Sequence, residues 1–326
     1  MRVIDKICVL LLLPALCGCG GNGGAPASKT FETHPFPAAP EAPAMLGAYD
    51  KMRFAAEHYW DRFLRDARNF PTDSVSVGGV ARGEVYEAMS RYILFIGRNL
   101  RKDDARVAIG QFFDSLAEVE AADTASSVFE EMARLTRTVL YDPNSSLRNE
   151  DLYEPFVRKM SQSAYVPQID RAGYGFDAEM CLLNQVGTPA ADFSFTTREN
   201  ARGTLYGVKA DYTLLFFSNP GCKACGEIVQ ALQGDEKVQK LLGDGVLAVV
   251  NIYIDEDTSD WKDFAGTYPK TWICGYDHRH IIRNDVLYNI RAIPSLYLLS
   301  ADKKVILKDS PKENLIAFID NLPVKP

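Results

Sequence analysis

Positive charge, cysteine and long apolar runs are all scarce in this chain, and each shortage excludes a class of function. The 36 basic residues stand against 43 acidic ones, a net charge of -7. No basic cluster is present to neutralise a row of phosphates, so nucleic acid is excluded as a partner. Of 7 cysteines, Cys8, Cys17 and Cys19 crowd the N-terminus, which leaves Cys181, Cys222, Cys225 and Cys274. A zinc ribbon needs two cysteine pairs, and the pair at 222 and 225 is followed by Cys274 alone. The N-terminal apolar run, Ile7 to Leu16, is too short to span a bilayer. No repeat of fixed length points to a solenoid. The first half offers no paired carboxylates, Ser/His arrangement or Gly-rich phosphate loop that would carry chemistry.

What the chain does have is concentrated between Thr204 and Leu232. An apolar strand, Thr213 to Phe217, runs into the turn Ser218-Asn219-Pro220-Gly221, and Cys222-Lys223-Ala224-Cys225 then opens a helix. Cysteines three apart at a helix start lie on one side and can close a small reversible disulfide. The unpaired N-H groups of the helix N-terminus and the charge of Lys223 both favour the Cys222 thiolate, the attacking species in disulfide exchange. Downstream, residues 245–255 form a near-continuous apolar strand suited to the middle of a sheet. A further strand is expected over Ile290 to Leu299, and Pro294 inside it marks an edge or a special backbone.

This order of strand, C-x-x-C helix, strand, helix and Ile293-Pro294 resembles the thioredoxin-like superfamily, and in particular its membrane-anchored thiol-disulfide interchange proteins. The resemblance implies that Pro294 is the family's cis-proline and that the backbone at Ile293 and Pro294 pairs with an extended substrate segment. The separation of Cys222 from Pro294 implies a strand and helix inserted centrally. Two departures stand out: Pro220-Gly221 replaces the usual aromatic before the first cysteine, and Phe216 occupies the position of thioredoxin's buried carboxylate. The junction Gly187-Thr188-Pro189 to Phe193 resembles the entry shared by peroxiredoxins and the anchored reductases. Peroxiredoxins need Thr or Ser three residues before the attacking cysteine and a proline further upstream; Asn219 and Leu215 stand there instead.

Residues 1–18 read as a targeting segment, with Arg2 and Lys6 before the apolar run. Leu16-Cys17-Gly18-Cys19 resembles a bacterial lipobox, which implies lipidation at Cys19 and a membrane-anchored protein of the cell envelope, facing the periplasm or the outer surface. Residues 19–44 carry five prolines between Pro26 and Pro43 and little apolar pattern, and read as a flexible tether. From Met45 to residue 183 the apolar spacing is three or four: Met52, Ala56, Tyr59 and Phe63; Val85, Met89, Ile93, Ile96 and Leu100; Ile109 to Val119; Val128 to Val139; Leu152, Phe156 and Met160. Breaks are expected at Pro71-Thr72-Asp73, Asp103-Asp104 and Asp142 to Ser146, giving a bundle of five or six helices. With Glu57-His58-Tyr59-Trp60-Asp61 and Tyr141-Asp142-Pro143-Asn144-Ser145, this half resembles an uncharacterised helical domain that precedes thioredoxin-like domains in some lipoproteins of the Bacteroidetes type.

The expected architecture is therefore multidomain: an N-terminal all-α bundle over 45–183, then an α/β thioredoxin-like domain with a central insertion over 184–326. Cys222 attacks, Cys225 resolves, Lys223 lowers the Cys222 pKa, and Ile293 and Pro294 shape the substrate groove. The partners implied are protein disulfides and an upstream thiol reductant; neither cofactor nor metal is required. Cys274, Asp277, His278 and His280 are close in sequence but read as ordinary loop residues, and Cys181 and Cys274 as either a second disulfide or two buried thiols. The competing reading is a partner-binding scaffold lipoprotein whose thioredoxin-like fold retains only a structural disulfide.

Overall fold

A computed structural model describes residues 32–322. The targeting segment, the lipidation candidate Cys19 and the first half of the tether lie outside the described residues. Residues 33–44 have no regular structure, yet they do not stand free of the bundle: the His34 N-H donates to the Gly79 carbonyl and the Phe36 N-H to Glu84 Oε1. The Phe36 ring packs on Tyr59, Trp60 and Phe63 at centroid distances of 5.3–5.8 Å. This part of the expected tether is held by aromatic packing, because Phe36 supplies the apolar anchor that the proline-rich composition conceals.

The helical region comprises α1 (Ala48–Glu57), α2 (Asp61–Ala67), a two-residue hairpin β1 (Ser76–Val77) and β2 (Val80–Ala81), α3 (Arg82–Asn99), α4 (Lys102–Ala122), α5 (Val128–Leu140), α6 (Glu150–Gln162) and α7 (Gln168–Leu182). Seven helices among the described residues replace the expected five or six. The expected continuous face from Met52 to Phe63 is interrupted at His58 to Trp60, where His58 Nδ1 meets Asp61 Oδ2 at 2.7 Å. The turn carries Trp60 into the core against Tyr92 and Phe112. Asp103-Asp104 is not a break: both lie in the first turn of α4, where carboxylates complement the helix dipole. Pro155 lies inside α6, and its missing N-H leaves the Asp151 carbonyl without its helical donor. Arg106 Nη1 donates to that carbonyl at 2.5 Å, and its guanidinium also pairs with Glu154.

The second half is built on a seven-stranded mixed sheet. Its elements are β3 (Ser194–Thr197), β4 (Arg202–Thr204), β5 (Tyr212–Phe217), α8 (Lys223–Gly234), α9 (Glu236–Gly243), β6 (Leu247–Tyr253), α10 (Thr258–Ala265), β7 (Ile273–Tyr276), α11 (Ile281–Asn284), β8 (Ser295–Ser300), β9 (Val305–Leu307) and α12 (Lys312–Asp320). The strand order is β4-β3-β7-β6-β5-β8-β9. β5, β6 and β7 are mutually parallel neighbours, while β8 runs antiparallel to β5. The insertion between β6 and β8 supplies β7, which widens the sheet and meets β3 antiparallel. β5 is buried on both faces: Leu214 and Phe216 join Ile228 and Leu232 of α8 in one core, and Leu215 and Phe217 join Phe193 and Tyr288 in the other. Apolar residues at every position, rather than alternate ones, are what a central strand covered on both sides requires.

The helical region and the sheet meet through buried charge. Glu150, 4% exposed at the start of α6, accepts from Asn289 Nδ2 at 2.8 Å and pairs with Lys308 Nζ at 2.7 Å and Arg291 Nε at 3.1 Å. Arg291 also pairs with Asp309 at 2.7 Å and lies over the Tyr141 ring, 4.2 Å from its centroid. Arg148 Nε donates to the Asp309 carbonyl, and Lys308 Nζ to the Cys181 carbonyl. Burial pushes the Glu150 carboxyl up, against the pull of Lys308 and Arg291.

Candidate active site

β5 ends at Phe217, and the chain must reverse within four residues to enter α8. Gly221 has φ +70°, in the left-handed region that residues with a Cβ avoid. An aromatic side chain before Cys222 would be strained on this backbone, which accounts for Pro220-Gly221 at that point. Cys222 is the N-cap of α8, and its Sγ accepts from the Cys225 backbone N-H at 3.2 Å. The two sulfurs form a disulfide across a Cα–Cα distance of 5.2 Å. Cys222 is half-buried, whereas Cys225 is 2% exposed. One sulfur can therefore meet a large partner from solvent and the other cannot. A charge on Cys222 would be met by the same N-H and by the α8 dipole.

Lys223, expected to lower the Cys222 pKa, follows Cys222 at the first position of α8. Its side chain is 92% exposed, and its nearest carboxylate is Glu227 Oε1 at 3.9 Å. Glu227 is exposed on the surface of α8.

The Ile293-Pro294 peptide bond is cis. Phe217 is paired with Ser295 in the β5–β8 register, so the next residues outward, Ser218 and Pro294, share the end of the sheet from which the cysteine loop departs. The expected strand over 290–299 begins only at Ser295; residues 290–294 form the loop that precedes it. Ile293 is half-buried and packs against both cores. Ser295 Oγ donates to Asp309 Oδ1 at 2.7 Å, while Arg291 and Asn289 are tied to Glu150. The proline loop is thus held from the helical region as well as from the sheet.

Phe216, at the position where a carboxylate could stand, is fully buried and edge-on to Trp272. The polar groups near this end of the sheet are different ones. Asn251 Nδ2 donates to Ser218 Oγ at 2.7 Å, and Ser218 Oγ lies 2.9 Å from Tyr268 OH. Burial pushes the Tyr268 phenol up, partly offset by its bond to Ser218. Asn219 Nδ2 donates to Asp255, which pairs with Arg283 at 2.7 Å. Sequence reasoning missed these residues, although one signal existed: Asn251 interrupts an otherwise apolar central strand.

Among the described residues the other two cysteines are free thiols in separate cores, Cys181 in α7 and Cys274 in β7. Burial pushes both pKa values up, that of Cys274 to about 12. A Cys181–Cys274 disulfide is not formed. Asp277 accepts from the Ile282 N-H at the start of α11, and among the described residues no cluster of His, Cys, Asp or Glu is arranged to hold a metal.

A C-x-x-C pair capping a helix after a central strand, with a cis-proline at the same end of the sheet, defines a thioredoxin-like protein. The whole arrangement is similar to the crystal structure of a thioredoxin-like protein from Bacteroides caccae, at 31% identity and TM-score 0.73, covering 87% of this chain and 97% of that one. The chain is also 31% identical over 127 residues to the thioredoxin-like protein YneN of Bacillus subtilis, covering 38% of this chain and 70% of that protein. Residues 19–184 match a domain of unknown function, DUF5106, and the chain belongs to that family, with a thioredoxin-like domain following the matched region.

Proposed function

We propose that the chain is an extracytoplasmic thiol-disulfide oxidoreductase that reduces disulfides in protein substrates. The observation that carries this reading is the asymmetry of the pair: a partly exposed Cys222 at the helix N-terminus beside a buried Cys225. In the dithiol form, the Cys222 thiolate attacks one sulfur of the substrate disulfide, forming a mixed disulfide and releasing the other substrate sulfur as a thiolate. Cys225, once deprotonated, attacks Cys222 Sγ and releases the second substrate sulfur. The substrate gains two electrons, the protein is left with the Cys222–Cys225 disulfide, and an upstream thiol reductant restores the dithiol. Ile293 and Pro294 offer the backbone edge along which an extended substrate segment lies. Lipidation of Cys19 would hold this chemistry at the membrane of the cell envelope, on its periplasmic or outer side.

Equilibrating the full chain across glutathione redox buffers and counting alkylated thiols by mass spectrometry tests the reading. Cys222 and Cys225 are expected to change state as a pair, with a midpoint nearer thioredoxin's about -270 mV than the about -120 mV of a strong oxidant. Cys222→Ser should abolish exchange, and Cys225→Ser should accumulate mixed disulfides. Phe216 in place of a carboxylate favours the scaffold reading instead. A pair that stays locked through every buffer while the protein remains folded would establish that alternative.

A further inference from the structure

The last helix of the helical region leaves a large apolar side chain unused. α7 buries little beyond Ala178 and Cys181, while Phe176 is 60% exposed and borders two cavities. One, of about 360 Å3, has Phe176 and Met180 on its helical side. These residues are four apart and so share a face of α7. The opposite wall is Ile254, Val286, Ile290 and Ile293, the last being the residue beside the cis-proline. The cavity is therefore continuous with the edge on which a substrate segment would lie.

Its charged residues are already engaged. Asp255 and Arg283 pair with each other, and Arg291 is bound by Glu150 and Asp309. Little charge is left over to recruit an ionic ligand, and within a lining of mixed polarity the exposed side chains of Phe176 and Val286 offer apolar surface beside the backbone edge at Ile293. Such a site suits an extended polypeptide that places one bulky apolar side chain against Phe176 while its disulfide meets Cys222.

We propose that α7 and the loop before Pro294 form a side-chain subsite for polypeptide substrates, so that the helical region selects disulfides flanked by a large aliphatic or aromatic residue. The inference rests on the dithiol reading above and adds to it the substrate class. Burying one apolar side chain in a partly open groove is worth about tenfold in discrimination.

The test uses the full chain and two cystine-bridged peptides, identical except for Leu or Ser beside one half-cystine. The kcat/KM ratio of the Leu peptide to the Ser peptide is expected to be about ten. Phe176→Ala should bring it close to one, and Phe176→Leu should restore most of it. Because Phe176 is largely exposed, these variants should unfold at the parent temperature. A ratio near one in the parent, or a ratio unmoved by Phe176→Ala, overturns the subsite while leaving disulfide exchange standing. Exchange of neither peptide overturns the dithiol reading and this inference together. A parent dimer in sedimentation that Phe176→Ala dissociates would assign the face to a second copy and likewise overturn it.

Discussion

Removing the Glu150 carboxylate should cost more stability than any surface charge in the chain. Glu150→Ala takes away the acceptor of the Asn289 amide and the principal counter-ion of Lys308, whose side chain is 3% exposed. Arg291 keeps Asp309 at 2.7 Å, but Lys308 keeps only the Cys181 carbonyl. The loss is therefore that of a broken buried pair, about 3–5 kcal/mol. At about 2–4 °C per kcal/mol for a chain of this size, the melting temperature should fall by roughly 6–20 °C. Urea unfolding followed by tryptophan fluorescence can watch both halves, since Trp60 lies in the helical region and Trp261 and Trp272 in the other. Glu150→Gln combined with Lys308→Met, which removes both charges, should recover at least half of the loss. A loss below about 1 kcal/mol, the range of an exposed pair, would mean that water reaches the cluster and that the halves are not joined by buried charge.

Three further outcomes follow from particular contacts. With the dithiol reduced, iodoacetamide at pH 8 should label Cys222 readily but leave Cys181 and Cys274 untouched until denaturant is added, because burial holds both thiols protonated; rapid native labelling of Cys274, read by mass spectrometry, would contradict its placement. The Arg82 guanidinium, 2.6 Å from Glu131, lowers that carboxyl from 4.5 to about 2. A folded pKa below the unfolded one contributes stability that is full above about pH 4.5 and lost as pH falls toward 2, so the stability gap between parent and Glu131→Gln should close over that window in denaturation series; a gap independent of pH would refute the pairing. Gly275→Ala would set a Cβ 2.7 Å from the Phe195 ring and 2.9 Å from the Thr196 carbonyl, and should destabilise the protein by about 1–3 kcal/mol; an unchanged melting temperature would show that β7 does not approach β3 as closely as described.

Where sequence and structure part, the reason is usually that a local signal has two uses. Adjacent aspartates serve turns and helix first turns alike, so Asp103-Asp104 read as a break although both open α4. Spacing of three and four persists from Met52 to Phe63 even though a turn at His58 to Trp60 divides the helices, because a turn can keep apolar residues on the core side. Lys223 stands beside Cys222 in sequence, yet its side chain extends into solvent toward Glu227.

The pattern of residues alone determined the helical and α/β halves, the central strands, the C-x-x-C helix start and the proline that precedes β8, since each depends on periodicity or on cysteine and proline at short spacing. Tertiary structure alone decided that Phe36 anchors part of the proline-rich segment before α1 and that Cys181 and Cys274 lie apart. It alone brought Glu150 to Asn289 and Arg291, partners about 140 positions distant, and so tied the helical half to the loop beside Pro294. Such pairings are set by how two finished surfaces close on each other and exclude water, a property of three-dimensional packing that no local spacing encodes.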